Sequence, residues 1–160
     1  MTYSVTYSSH TGNTKELAQT INESLDNIIY YGEHDIKALN ADRIYIGFWT
    51  DKGTCDSKTI EFLKQAQNKE IFLFGTAGFG ESQEYFNQII ERVKANIKDN
   101  NKIIGSFMCQ GRMPQAVRDR YLKLQNDENY QKYQMLIENF DKALEHPNNK
   151  DKDNLIKAIK

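Results

Sequence analysis

Short apolar runs alternate with amphipathic stretches along this chain, and the order of the two patterns predicts the fold. Five runs predict β-strands, at Tyr3–Ser8, Ile28–Tyr31, Arg43–Phe48, Glu70–Gly75 and Lys102–Cys109. The last three contain near-continuous apolar stretches, which is typical of parallel strands covered by helices on both faces. Strands that alternate with helices in this way indicate an α/β fold with a parallel sheet.

Apolar residues at spacings of three and four predict helices between the strands. The three stripes are Leu17, Ala18, Ile21 and Leu25, then Ile60, Leu63 and Ala66, then Phe86, Ile89, Ile90, Val93 and Ile97. Asp56 or Ser57 is expected to cap the second helix and Ser82 the third. The segment between Gly32 and Asp42 is too short to predict a helix with the same force.

The chain after the fifth strand is also expected to be helical. Pro114 suits a first helical turn. An apolar face then continues through Tyr133, Leu136, Ile137, Phe140 and Leu144, in one long or broken helix. Pro147 marks a break before a lysine-rich tail, which either docks as a terminal helix or frays. We therefore expect one domain over residues 1–146, with residues 147–160 as its helical tail.

Composition narrows the function. The 160 residues suit one domain, and 21 basic against 22 acidic residues leave a net charge of −1. This balance argues against a nucleic-acid partner. Two cysteines are too few for a disulfide framework and suggest a reducing compartment. No signal peptide and no apolar run near the ~20 residues of a bilayer span are present, so we expect a cytoplasmic protein without a membrane partner.

The segment after the first strand has the composition of an anion site. Ser8-Ser9-His10-Thr11-Gly12-Asn13-Thr14 leads directly into the first helix. A helix N-terminus presents unpaired backbone amides and a positive dipole end, and nearby hydroxyls add donors, so we expect a phosphate group here. A ligand-free N-cap rich in serine and threonine is the alternative. The spacing of a nucleotide-hydrolysing loop and the acidic pocket of a phospho-receiver domain are both missing.

Residues Ser9 to Thr14 match the flavodoxin phosphate-loop pattern of Thr or Ser, any residue, Thr, Gly, any residue, Thr. The chain resembles a short-chain flavodoxin from Tyr3 to about Leu144. The resemblance implies a doubly wound five-stranded parallel sheet in order 2-1-3-4-5, with helices on both faces and FMN bound non-covalently. It also implies a monomer that carries single electrons between redox partner proteins, a reductase or ferredoxin-type donor and an acceptor enzyme, or that serves one specific reductase.

The same resemblance assigns the cofactor site. It implies that Ser9, Thr11, Gly12, Asn13 and Thr14 hold the phosphate. His10 in the same loop either reaches the phosphate through a ring N–H or faces outward. The resemblance places the flavin ring between Trp49, Thr50, Lys52 and Gly53 after the third strand and Thr76, Ala77, Gly78, Phe79 and Gly80 after the fourth. Trp49 and Phe79 would flank the ring, although Trp49 could instead close the core and Phe79 could face solvent or a partner. A peptide near Gly53 would turn over on reduction and stabilise the flavin semiquinone, because glycine permits both orientations; a simple turn glycine is the alternative.

The segment from Cys109 to Pro114 ends the fifth strand on the ligand side of the sheet, where it could contact a partner or substrate, and it remains outside this assignment. Cys109 is expected to be a buried structural thiol, and Arg112 a surface charge rather than a binding group. The sequence shows neither a catalytic triad nor a pair of carboxylates placed for acid–base chemistry. The chemistry must therefore come from a cofactor. The flavodoxin resemblance favours an electron carrier over an enzyme. An FMN-dependent reductase acting directly on a small substrate, and an FMN-free interaction module, are the alternatives.

Overall fold

Five parallel strands form the sheet in the spatial order β2-β1-β3-β5-β6, in a computed structural model that describes residues 1–80 and 82–160. The strands are β1 Tyr3–Tyr7, β2 Ile28–Glu33, β3 Arg43–Asp51, β4 Thr54–Cys55, β5 Glu70–Ala77 and β6 Lys102–Gln110. The helices are α1 Asn13–Ser24, α2 Ser57–Leu63, α3 Gln83–Lys94, α4 Gln115–Leu124, α5 Tyr130–Ala143 and α6 Asn149–Ile159. The short β4 pairs only with β3, so β5 and β6 are the fourth and fifth strands of the parallel sheet. The predicted strand order 2-1-3-4-5 is therefore confirmed.

Helices cover both faces of the sheet, as predicted. Along β3, Ile44 and Ile46 are buried in the cluster that includes α2 and α3, whereas Tyr45 between them joins the cluster of α1 and α6. Successive side chains of a strand point to opposite faces, so an almost continuous apolar strand contributes to both clusters. This double cover holds the carboxyl ends of β1, β3, β5 and β6 at one edge.

A reciprocal pairing of glycine and phenylalanine locks β3 to β5 near that edge. Gly47 lies opposite Phe74, and Phe48 lies opposite Gly75. A Cβ atom added at either glycine would collide with the ring of the opposite phenylalanine. Both rings are fully buried, one in each core cluster. The two glycines are therefore required for the rings to lie across the neighbouring strand.

The segment after the third strand forms a β-hairpin. Here β3 continues to Asp51 and turns back into β4, with Asp51 opposite Thr54. Lys52 and Gly53 form the two-residue turn, with φ angles of 53° and 85°. Positive φ at both central residues is typical of the type I′ turns that suit the twist of a hairpin. The backbone at the end of β3 is thus paired with β4 in a hairpin.

The structure also tests the predicted helix caps and the segment before the third strand. Asp56 accepts a hydrogen bond from the Thr59 amide at the start of α2, and Ser82 accepts one from Tyr85 at the start of α3. Both predicted caps are confirmed. The segment between Gly32 and Asp42 contains only a 3₁₀ helix at Ile36–Asn40.

The C-terminal region contains separate helices. A turn built on Asn126 and Asn129 parts α4 from α5, and the Asn129 amide group donates to the Leu124 carbonyl, so the broken-helix alternative is confirmed. The tail is a docked helix, since Asn148 and Asp151 form a capping box and Leu155 is fully buried. Within residues 1–80 and 82–160, the longest helices are too short or too polar to cross a bilayer.

Candidate functional site

The N-terminus of α1 lies at the carboxyl edge of the sheet and is open to an anion. Gly12 occupies the N-cap position with φ 90°, and no side chain hydrogen-bonds the helix from that position. Ser9 Oγ accepts hydrogen bonds from the amides of Gly12 at 3.1 Å and Lys15 at 3.4 Å. The first-turn amides of Asn13 and Thr14 have no acceptor within a helix. These amides and the helix dipole favour a negatively charged group.

Two hydroxyls predicted to hold the phosphate donate elsewhere. Thr14 Oγ1 donates to the Phe48 carbonyl at 3.0 Å and lies 3.2 Å from Thr76 Oγ1. Thr11 Oγ1 donates to the Arg112 carbonyl at 3.0 Å. A hydroxyl has one proton, so neither side chain keeps a donor for a ligand. Any contact of Thr11 and Thr14 with a phosphate therefore rests on their backbone amides.

A cavity of about 230 Å³ adjoins this helix end. It is lined by eight of the predicted site residues, His10, Thr11, Asn13, Trp49, Thr50, Thr76, Ala77 and Gly78. Thr50 Oγ1 donates to the Thr76 carbonyl at 2.8 Å and ties the ends of β3 and β5 together. The structure thus brings the loop after β1 and the ends of β3 and β5 to one place, as expected for ligand sites of open parallel sheets.

Trp49 is half-buried in the cavity wall and stacks on His10. The ring centroids are 4.8 Å apart, and the planes differ by 24°. His10 is exposed, so its movement away from Trp49 would enlarge the space beside the indole. Such an enlargement suits a drug-sized ligand, for which pockets of roughly 300 Å³ or more are usual.

A buried oxygen in the same wall supports the fit to a flavin nucleotide. Asn13 Oδ1 has no hydrogen-bond partner within the described residues, whereas Asn13 Nδ2 donates to the Arg112 carbonyl at 2.8 Å. A buried unpaired acceptor is costly, and a hydroxyl of a ligand could satisfy it. The open amides, the indole and this acceptor together fit a molecule that combines a phosphate, hydroxyls and a planar ring.

Four predicted ring residues lie outside this cavity. Lys52 and Gly53 form the hairpin turn, and the Gly53 carbonyl accepts a hydrogen bond from Arg92 Nη1 of α3 at 2.9 Å. Phe79 and Gly80 line a separate groove of about 370 Å³ against α5. Phe79 is 42% exposed there and is not among the residues that line the cavity beside Trp49.

The chain after β6 contributes a further wall of the cavity. The sequence placed the segment from Cys109 to Pro114 on the ligand side of the sheet but did not assign it to the flavin site. Gly111, Arg112, Met113, Pro114 and Val117 line the cavity. A Cβ atom added at Gly78 would lie against the Met113 side chain, so this segment packs closely over the end of β5. The signal was available, because β6 neighbours β5 and its carboxyl end must lie at the same edge. The family pattern had instead directed attention to the loops after the third and fourth strands.

His34 is the most perturbed basic group near the site. Its Nδ1 lies 2.9 Å from Thr6 Oγ1, its Nε2 lies 2.9 Å from Thr59 Oγ1, and its ring stacks on Phe62 at 4.8 Å. Burial lowers the pKa of His34 from 6.5 to about 4, against the opposing influence of nearby Asp56. A neutral imidazole therefore joins β1 to α2 behind the phosphate loop.

The two cysteines are free and buried. Burial raises the pKa of Cys55 to about 11 and raises the pKa of Cys109 further, so both remain thiols at neutral pH. The predicted burial of Cys109 is confirmed. Across the part of the chain that the structure describes, no group of three or more histidine, cysteine or acidic side chains is placed to hold a metal ion.

Comparison with known proteins finds related sequences and similar folds. A family model described as flavodoxin domain matches residues 4–160. The flavodoxin-like domain-containing protein BilS of Clostridium symbiosum is 36% identical over 171 residues, covering 94% of this chain and 90% of that protein.

Two solved structures share the fold. Oxidised flavodoxin 2 from Bacillus cereus has a TM-score of 0.51 and 18% identity, over 89% of this chain and 99% of that chain. A flavoprotein from Lactobacillus acidophilus in complex with FMN has a TM-score of 0.51 and 16% identity, over 68% and 93%.

Proposed function

Because this chain belongs to the flavodoxin domain family, we propose that it binds FMN at the N-terminus of α1 and carries single electrons between redox partner proteins. One observation carries the proposal. The open amides of α1, the buried acceptor Asn13 Oδ1 and the half-buried Trp49 meet around one cavity at the carboxyl edge of the sheet. The solved relative from Lactobacillus acidophilus in complex with FMN supports this choice of cofactor.

Different residues of this chain would bind different parts of FMN. The amides of Asn13 and Thr14, with the Ser9 hydroxyl, would hold the phosphate. Asn13 Oδ1 would accept a hydrogen bond from a hydroxyl of the ribityl chain. Trp49 would stack on the ring, and offset stacking adds about 0.5–1.5 kcal/mol beyond burial. FMN, when bound, supplies the electron-carrying chemistry that side chains alone do not provide.

The surface beside the cavity supports a protein partner. Phe79 follows the cavity residue Gly78 directly and is 42% exposed, and Met135 of α5 in the same groove is 70% exposed. A partner that covers these side chains would approach the cavity wall closely. A donor reductase or ferredoxin-type protein and an acceptor enzyme are the partners that we propose. Two free, buried cysteines are consistent with our placement of the protein in the cytoplasm.

The tryptophan at the site gives a direct binding assay, because the chain contains only one. Flavin-free protein is titrated with FMN while tryptophan emission is followed. We expect saturable quenching with one FMN per chain. The variant Trp49→Phe should still take up FMN, observed by quenching of flavin fluorescence, but with lower affinity. A parent protein that takes up no FMN would contradict the proposal and favour an interaction module.

Stepwise reduction of the loaded protein then separates carrier from enzyme. A carrier should accept two electrons in resolved single-electron stages and pass them to a protein acceptor. It should turn over NAD(P)H with a small quinone or azo dye only slowly. Rapid steady turnover of that mixture without any protein partner would instead identify an FMN-dependent reductase.

A further inference from the structure

The guanidinium group of Arg112 lies at the open end of α1. Arg112 Nη2 is 2.5 Å from Glu16 Oε2, and Glu16 belongs to the first turn of that helix. The same nitrogen lies 4.0 Å from the position that a Cβ atom of Gly12 would occupy. A full positive charge therefore stands beside the amides that would receive a phosphate. The sequence had favoured a surface charge over a binding group at this position.

The backbone of Arg112 is fixed against the same loop. Its carbonyl accepts hydrogen bonds from Thr11 Oγ1 at 3.0 Å and Asn13 Nδ2 at 2.8 Å, and its amide donates to the His146 carbonyl at 3.2 Å. Gly111 permits the close approach, because a Cβ atom there would collide with the Asn13 side chain. Arg112 is thus held at a defined distance from the N-terminus of α1.

The charge of a phosphate monoester makes this position significant. Such a group carries about −1.5 to −2 charges at neutral pH, whereas a helix N-terminus offers about half a positive charge. Thr11 and Thr14 have already committed their hydroxyl protons to carbonyl groups. Arginine is well suited to complete the compensation, because its planar group donates two parallel hydrogen bonds to phosphate oxygens.

Glu16 gives the guanidinium a partner while no ligand is bound. Its second oxygen, Oε1, lies 3.7 Å from Lys152 Nζ of α6. The Arg112 side chain is 37% exposed, so it can turn from the carboxylate toward a ligand. Glu16 would then retain Lys152 as its counter-ion.

We propose that Arg112 is a specificity-determining residue that binds the phosphate of FMN and thereby distinguishes FMN from riboflavin. The inference rests on the proposed function. Glu16 holds the guanidinium near the site and competes with the phosphate for it. Removing the arginine and removing the glutamate should therefore change FMN affinity in opposite directions.

The test compares FMN with riboflavin, which lacks the phosphate. Flavin-free parent, Arg112→Gln, Arg112→Lys and Glu16→Gln are each titrated with both compounds, with Arg118→Gln as the matched control. Arg118 pairs with Asp141 between α4 and α5 and lies outside the cavity lining. We expect Arg112→Gln to weaken FMN binding at least about tenfold, because the charge-assisted hydrogen bonds to the phosphate are lost. Riboflavin affinity should not change.

For each of the other variants, we expect a defined direction of change in FMN affinity. Arg112→Lys should restore part of the FMN affinity, Glu16→Gln should strengthen FMN binding relative to the parent, and Arg118→Gln should match the parent. Raising the salt concentration should weaken FMN binding more in the parent than in Arg112→Gln.

Three results would overturn the inference. These are unchanged FMN affinity in Arg112→Gln, an equal loss for FMN and riboflavin, or equal losses in Arg112→Gln and Glu16→Gln, which would indicate a merely structural ion pair. Failure of the parent itself to bind FMN would instead refute the proposed function.

Discussion

Acidification should destabilise this protein through His34. The half-buried imidazole is neutral in the folded state, where its pKa is about 4, and it has the ordinary pKa of 6.5 once unfolded. Between these values the unfolded chain binds a proton that the folded chain does not. The contribution of His34 is therefore fully present above pH 6.5 and is lost as the pH falls toward 4.

The magnitude follows from the difference between the two pKa values. A shift from 6.5 to about 4 corresponds to about 3 kcal/mol at 1.36 kcal/mol for each pKa unit. Because titration of the unfolded state begins near pH 6.5, about 2 kcal/mol of this amount should be lost between pH 7 and pH 5. Marginal stabilities of about 5–15 kcal/mol make such a loss readily measurable.

Urea unfolding of flavin-free protein at a series of pH values measures this effect. His34→Gln keeps a polar group between Thr6 and Thr59 but removes the titration, so its free energy of unfolding should fall less steeply between pH 7 and pH 5. His10→Gln, at an exposed loop position, should retain the slope of the parent. If the parent and His34→Gln have the same slope, the argument from His34 burial is wrong.

Three further predictions concern packing and the phosphate loop. Thr14→Val should leave FMN affinity unchanged, because the hydroxyl donates to the Phe48 carbonyl and, in our proposal, only the amide would contact the phosphate. Loss of that hydrogen bond should lower stability by about 1 kcal/mol. A large loss of affinity in the FMN titration would refute this prediction. Gly75→Ala should cost about 1–3 kcal/mol in urea unfolding, because its methyl group meets the Phe48 ring, and an unchanged midpoint would contradict that reading. Leu155→Ala should lower the free energy of unfolding by about 2–5 kcal/mol, because the side chain is fully buried. In urea, the variant should lose its far-ultraviolet helix signal at a lower concentration than the parent. A destabilisation below about 1 kcal/mol would mean that α6 is not docked as described.

The sheet was predictable from the sequence because its causes are local and periodic. Near-continuous apolar runs can only be buried on both faces, and the intervening stripes provide helices for that purpose. The caps at Asp56 and Ser82 were equally legible, since each side chain acts within three residues of its own position. Five strands and their order followed from this pattern and from the flavodoxin resemblance.

Only part of the cavity lining could be predicted from distinctive residue types along the chain. His10, Thr11, Asn13 and Trp49 were expected together and do line one cavity, because glycine, hydroxyl residues and an isolated tryptophan stand out in the sequence. The contribution of Met113 and Val117 was not expected, because it depends on how α4 leaves β6. The turn at Lys52 and Gly53 was expected only as an alternative, because the sequence does not show that β3 pairs with β4 on either side of it.

The reciprocal pairs Gly47–Phe74 and Phe48–Gly75 also limit how the gene can be recombined. Each strand contributes one small and one large partner, so a chimera that takes β3 from one parent and β5 from another inherits a matched pair only when both parents use the same arrangement. A mismatch would produce either two colliding rings or an empty space in the centre of the sheet. Crossover points for domain shuffling should therefore fall before β3 or after β5, so that both strands travel together as a single inherited unit.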